Sequence, residues 1–370
     1  GEGPAGTGGM KFLVEEQALD EQVLALALPA LVALCAEPVL SIIDAGFVGR
    51  LPDPALALGG LGVATTVFDF IFRCYNFLCV VTVPLVAQAI VAQRRGDPDA
   101  PEPAQITGRA VGLAASLGAV TWAALLWAAP LALQFAGAAP GSALGSAAGA
   151  YLRLRAAALP ASLVNTVAVG AFRGQLDTAT PLRVLLLQTG ANVLLDAALV
   201  FGVDSLGIPA MGIEGAAIAT AASIWLSCGA FCFLLTSRGL VAWEAALTWP
   251  SALAELKPLA EGSLAQLLRT LSLQAVLLQF TRCVVALDSS GVAAAAHQVA
   301  LRVWFFALFA LDSVAVAAQA LLPMALAGGG AGRARWAQTS HRATSWRSNS
   351  WRSLQSPCRS NKAGAPPSLP

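Results

Sequence analysis

Residues 29–50, from Pro29 to Arg50, read PALVALCAEPVLSIIDAGFVGR, and this stretch decides the fold. It is apolar over about the 20 residues that a helix needs to cross a bilayer. Yet it carries two carboxylates, Glu37 and Asp44, and two prolines, Pro29 and Pro38. A carboxylate at membrane depth is expensive, so it normally faces a cavity or a partner and marks an ion or substrate path. The plainer alternative is that Glu37 and Asp44 cap or bridge helices in a polar seam. Proline inside a membrane helix frees a backbone carbonyl and permits a bend. A bendable helix with a carboxylate on it suits the moving part of a transporter.

Composition extends this reading outward. Of the 370 residues, 57% are hydrophobic and 12% charged, and mean hydropathy is +0.69, whereas a soluble domain is about 25% charged. The net charge of +1 hides an uneven distribution. Seven of the 22 Lys and Arg residues lie in 331–370, which has no Asp or Glu. The body of the chain is therefore acidic on balance and offers no basic face for nucleic acid. The seven cysteines form no CxxC and do not cluster with histidine, so they are read as small core residues without metal chemistry. The chain begins with Gly1 rather than Met, so the expectation is that the true N-terminus, with any targeting peptide on it, is missing.

Spanning segments are expected at about 22–48, 58–92, 109–133, 147–172, 181–203, 211–236, 259–287 and 291–326, eight helices in all. Breakers occupy the connections: Pro52-Asp53-Pro54, Gly96-Asp97-Pro98, Pro140-Gly141, Asp177 to Pro181, Gly207 to Pro209, and Pro250. With the N-terminus inside, the inner segments hold Lys11, Arg94, Arg95, Arg109, Arg173, Arg183, Arg238 and Lys257. The outer ones hold Arg50, Arg153 and Arg155, and this excess inside sets the orientation. A weak repeat relates Val63, Ala64, Val67 and Phe70 to Val299, Ala300, Val303 and Phe306 at an offset of 236. That offset equals six helices, as in transporters built of parallel repeats.

The chain is expected to divide into a lead-in (1–21), a first lobe of six helices (22–236), the first two helices of a second lobe (237–327) and a disordered basic tail (328–370). The tail carries SWRS twice and too little apolar surface to pack. The expectation is that the sequence is misread or cut short after about residue 327, with four helices of the second lobe missing. Such a chain would transport poorly.

Several motifs occur in order at the expected helices. Residues 151–182 read YLRLRAAALPASLVNTVAVGAFRGQLDTATPL, with Tyr151-Leu152-Arg153, Phe172-Arg173-Gly174, Asp177-Thr178 and Thr180-Pro181. Glu37-Pro38 and Asp44 to Arg50 precede them; Gly215 to Thr220, Leu268-Arg269-Thr270 and Ala296-His297-Gln298 follow. Over about 20–326 this pattern resembles the multidrug and toxic compound extrusion (MATE) family, in its DinF-like branch of plant and algal type. The resemblance implies an all-α polytopic membrane protein with a MATE-like bundle, a complete six-helix N-lobe and the start of a C-lobe. It implies a secondary active antiporter exporting small organic molecules in exchange for H+ or Na+. Plant and algal relatives in this branch export organic anions such as citrate or phenolic acids, and bacterial ones export drugs. The rival readings are a lipid flippase of related architecture and an inactive truncated product. A flippase would line its cavity with several cations, whereas the mid-membrane charges here are mostly acidic.

The resemblance also implies a cation- or proton-coupling site of Asp44, Asn192, Asp196 and Thr220. Independently of it, Asn192 and Asp196 are four residues apart in QTGANVLLDAALVFG and so share one helix face. Two carboxylates in a low-dielectric pocket cannot both ionise cheaply, so a pair can carry a proton. Oxygen ligands equally suit a hard cation such as Na+. The alternative is a buried hydrogen-bonded cluster. Glu37 and Asp312 are candidate substrate-cavity residues. Asp69 and Arg73, where the family is usually neutral, are four apart and are read as a pair on one helix. His297 is read as a packing residue, and Gly59, Gly60, Gly62, Gly112 and Gly118 as helix-packing glycines. There is no HExxH, Gly-x-Ser-x-Gly, Walker loop or Asp-rich diphosphate motif, so no enzyme, cofactor or metal is expected. The expected partners are the lipid bilayer and a small organic substrate, the chain being a monomer in a plastid envelope or plasma membrane.

Overall fold

Proline and small residues set the helix boundaries in a structure that is helical almost throughout. The computed structural model describes residues 6–98, 100–136, 138, 141–248, 268–273, 276 and 292–327. The seventh expected span lies mostly outside the described residues, as do the tail from 328 onward and the side chains of Glu37 and His297. The chain divides into two compact units, Gly1–Ala320 and Leu321–Pro370. Of the second, residues 321–327 are described, and they are helical.

Helix α1 (Gly6–Val48) contains Pro29 and Pro38 and runs back through the expected lead-in. Then come α2 (Pro54–Cys74), α3 (Phe77–Arg94), α4 (Pro103–Phe135), α5 (Ala143–Ala156), α6 (Leu159–Gly174), α7 (Ala179–Phe201) and α8 (Gly212–Ser237). A short α9 (Trp243–Leu247) and the long α10 (Val292–Ala327) follow. Among the described residues, five runs are long and apolar enough to cross a membrane: Asp20–Val48, Leu56–Arg94, Pro103–Phe135, Ala179–Phe201 and Gly212–Ser237. Helices α5 and α6, bent by 50° where they meet, count as a sixth. The first six expected spans are all present, and the protein is an all-α polytopic membrane protein.

Local chemistry explains the starts and the breaks. Asp53 Oδ1 accepts from the Leu56 N–H at 3.3 Å ahead of Pro54, and Ser142 Oγ accepts from Gly145 N–H at 3.0 Å, each satisfying an orphan donor of a first turn. Between α2 and α3 the ladder tightens to i→i−3 bonds, Tyr75 N–H to Phe72 O at 3.0 Å and Leu78 N–H to Tyr75 O at 3.0 Å. Between α5 and α6, Pro160 brings no N–H to the ladder. The Ala157 carbonyl there accepts instead from Trp225 Nε1 at 3.2 Å.

Helices α7 and α8, α4 and α6, α2 and α5, and α3 and α6 make the main contacts. Glycine permits the closest. A Cβ on Gly215 would lie 2.5 Å from the Leu199 carbonyl oxygen, and one on Gly118 would lie 2.5 Å from Pro160 Cα. Gly59 and Gly60 face α5 at 3.0 Å, but a Cβ on Gly62 would meet nothing within 4 Å among the described residues. Outward faces carry Trp127, Phe135, Leu194 and Phe233, each more than 70% exposed, as acyl chains allow and water would not.

Contacts between connections sort them onto two sides. Arg238 Nη1 lies 2.8 Å from Asp177 Oδ2 and Ala242 N–H donates to Ala104 O at 2.9 Å. The ends of α6, α8 and the start of α4 therefore share one side. Leu51 lies against Gly212, placing the α1–α2 and α7–α8 connections together on the other.

Candidate functional site

Helices α1, α7 and α8 bring four expected residues together. Asp44 from α1 is 7% exposed, Asn192 and Asp196 from α7 are 0%, and Thr220 from α8 is 6%. The four-residue spacing of Asn192 and Asp196 puts both on the α7 face that meets α1 and α8. Thr220 Oγ1 donates to its own helix at Ala216 O, 2.9 Å away. The Asn192 amide satisfies both neighbours when its nitrogen donates to Asp44 Oδ1 at 3.0 Å and its oxygen accepts from Thr220 N–H at 3.3 Å. The opposite orientation would set a carbonyl oxygen against a carboxylate.

Asp196 is the unusual member. Neither of its oxygens receives a hydrogen bond from a protein N–H or O–H among the described residues. It is buried on the same α7 face whose Asn192 bonds Asp44, and two carboxyls in one low-dielectric site favour sharing a proton. Ionised, both groups are acceptors only. The arrangement can therefore take up a proton, or offer carboxylate, amide and hydroxyl oxygens to a hard cation.

Asp44 and Thr220 also line a cavity of about 390 Å³, with Asn192 and Asp196 set behind its wall. The cavity's other charged residues are Asp69, Arg155 and Arg173. Among the described lining residues two carboxylates thus face two guanidiniums, where the sequence suggested mostly acidic charge. Asp69 corrects a second expectation. It pairs with Arg155 of α5 at 3.6 Å and not with Arg73, because α5 packs along α2 and the Arg73 side chain turns outward. Arg155 corrects a third. Counted as an outer-segment charge, it has its guanidinium in the cavity wall, 4.5 Å from the Phe68 ring centroid. Its spacing of four from Tyr151, whose OH accepts from Nη1 at 3.2 Å, was the available signal.

Asp312 is exposed on α10 and is not among the lining residues. A further polar group within the cavity joins three helices. Asn165 of α6 donates to Ser227 Oγ of α8 at 2.7 Å, and Ser227 Oγ donates to Gln188 Oε1 of α7 at 2.8 Å. At the side shared by α6 and α8, Asp177 accepts from Thr180 N–H at 2.8 Å and Thr180 Oγ1 at 2.6 Å. Burial alone would lift the Asp177 carboxyl, but these donors and the Arg238 guanidinium outweigh it and hold it below the usual carboxylate range.

The fold and site define a polytopic helical membrane protein with two carboxylates buried beside a cavity. Residues 29–198 match the MatE family model. The chain is 31% identical over 307 residues to protein DETOXIFICATION 44, chloroplastic, of Arabidopsis thaliana, covering 81% of this chain and 56% of that protein. It is 32% identical over 214 residues to DNA damage-inducible protein F of Escherichia coli, covering 57% and 42%. The chain thus spans about half the length of these relatives. Its fold matches an outward-facing multidrug resistance MATE family transporter with a TM-score of 0.66, at 20% identity, over 83% of this chain and 67% of that one. A MATE complex with MaD3S matches with a TM-score of 0.67, at 21% identity, over 82% and 66%.

Proposed function

We propose that this chain is a secondary active antiporter that exports small organic molecules in exchange for H+ or Na+. One observation carries the reading: two carboxylates from different helices, Asp44 and Asp196, meet out of water beside a cavity, and one of them has no donor. A group in that state costs too much to keep unless an ion visits it. Asn192 and Thr220 complete the ion's ligand set.

Coupling follows from where Asp44 sits. Helix α1 carries Pro29 and Pro38, so it has more than one accessible bend. An ion at Asp44 shifts the bends only by its difference in affinity between them, and each tenfold difference is worth about 1.4 kcal/mol. The six spans up to 236 act as one lobe, and α10 belongs to a second related by an axis along the membrane normal. The substrates are organic anions such as citrate or phenolic acids, or xenobiotics. The chain works as a monomer in a plastid envelope or plasma membrane, N-terminus inside, the first being favoured by the chloroplastic relative.

The test is proton- or sodium-driven efflux from vesicles holding the full-length protein, with matched expression of variants. Asp44→Asn is nearly isosteric and still accepts from Asn192, so it should fold but lose ion-driven efflux. Asp196→Asn should lose less, and Glu37→Gln least. Wild-type efflux by Asp44→Asn would reduce Asp44 to a seam residue and sink the assignment.

A further inference from the structure

We propose that Arg155 holds a carboxylate group of the substrate, and that Asp69 occupies that place until substrate arrives. The inference deepens the transporter reading above and rests on it.

Arg155 has five N–H donors in a planar fork, and the cavity uses them poorly. Nη1 reaches Thr65 Oγ1 at 3.3 Å and Tyr151 OH at 3.2 Å. Nη2 meets Asp69 Oδ1 at 3.6 Å, beyond hydrogen-bonding distance. Nε is buried and has no partner among the described residues. The Nε–Nη2 edge is the one a carboxylate grips with two parallel bonds, and here it is held by one long contact. The Phe68 ring, 4.5 Å away, covers a face of the fork, and Nε stays buried while Asp69 is in place.

The pair is unequal. The Arg155 side chain is 15% exposed and that of Asp69 is 43%. A displaced Asp69 keeps cavity water, while Arg155 without an anion would be a buried unpaired charge, the costlier case. Asp69 also has somewhere to go. Arg73 is exposed and four residues along the same helix, within reach of a side-chain partner at that spacing. Neither arginine has another ion pair among the described residues. Among the described residues Arg73 thus has no carboxylate of its own and Asp44 lies beyond ion-pair distance, so an incoming carboxylate would balance Arg155, Arg73 and Asp69 together. It would take the Nε–Nη2 edge while Asp69 turns to Arg73. A cationic substrate gains nothing there, because binding Asp69 would strand Arg155. The ligand class is therefore a small organic acid in its anionic form.

Equilibrium binding of radiolabelled citrate to the 370-residue chain in nanodiscs tests this, with p-hydroxybenzoate, phosphate and chloride as competitors and ethidium as a cationic control. Asp69→Asn removes the resident competitor and should tighten citrate binding several-fold, a gain that a purely structural ion pair would not give. Arg155→Gln should weaken it about tenfold or more, the scale of a lost charge-assisted hydrogen bond. Arg155→Lys, a point charge without the fork, should fall between, and ethidium binding should stay at its wild-type level throughout. The proposal is overturned if wild-type chain binds neither organic acid, if Asp69→Asn fails to tighten citrate, or if Arg155→Gln binds it normally. It is equally overturned if chloride or phosphate displaces citrate as well as p-hydroxybenzoate does, since the site would then be one for inorganic anions. Efflux of Asp44→Asn is a separate readout. Normal ion-driven efflux there would remove the coupling assignment while leaving a positive citrate result standing.

Discussion

Asn192 is the residue on which three helices depend. Its amide is spent on Asp44 of α1 and on the Thr220 backbone of α8, so Asn192→Leu should leave Asp44 without its donor. The expected cost is about 1–3 kcal/mol, the penalty for a buried polar group left unsatisfied, read as a lower melting temperature in detergent. Asp177 is the matching case at the membrane edge. It caps α7 and pairs with Arg238, so Asp177→Ala should cost about 1–2 kcal/mol. Because its folded pKa is depressed, its contribution is whole above the unfolded value of about 3.9 and is lost as pH falls through the lower folded value. Thermal unfolding from pH 6 down to 3 should therefore show a loss in wild type that the alanine variant lacks. The shared face of Asn192 and Asp196 was legible in sequence, since their spacing fixes it whatever the tertiary packing, while Asp44 and Thr220 were joined to them as coupling residues by resemblance alone. The partner of Asp69 was not legible. Helical spacing offers Arg73, and only the packing of α5 on α2 offers Arg155.

At the scale of the helix, the close approaches make a paired prediction. Gly215→Ala would press a methyl group into the Leu199 carbonyl at 2.5 Å, whereas Gly62→Ala meets nothing within 4 Å. The first should lose about 1–3 kcal/mol, as overpacked sites do, and the second should leave folded yield unchanged by size-exclusion profile. The sequence named Gly62 as a packing glycine because spacing alone does not say which way a face points. It showed the apolar runs well, and the first six appear where length and hydropathy put them. The two breaks were less visible. Pro160 announces the bend between α5 and α6, but no proline or glycine marks Tyr75-Asn76, where the change is only a tightening of the ladder.

For the whole molecule, the sorting of connections onto two sides predicts labelling. Single cysteines placed at Asp97 and Gly239 should react from one side of sealed vesicles, and one at Gly141 from the other. Reaction of all three from one side would contradict the six-span order. The arginines at 94, 95, 173, 183 and 238 fall on one of these two sides, so their grouping, too, was legible. The tie between Ala242 and Ala104 was not, because nothing in the residues after Ser237 announces it. There the Ala242 carbonyl sits so close to Gly108 that a Cβ would collide, and Ala245 completes the contact. That makes α9 part of the same body as α4 and α8. A fragment ending at residue 248 should express as a self-sufficient body, while one ending at 237 should leave a bare groove at the foot of α4 and invite proteolysis there.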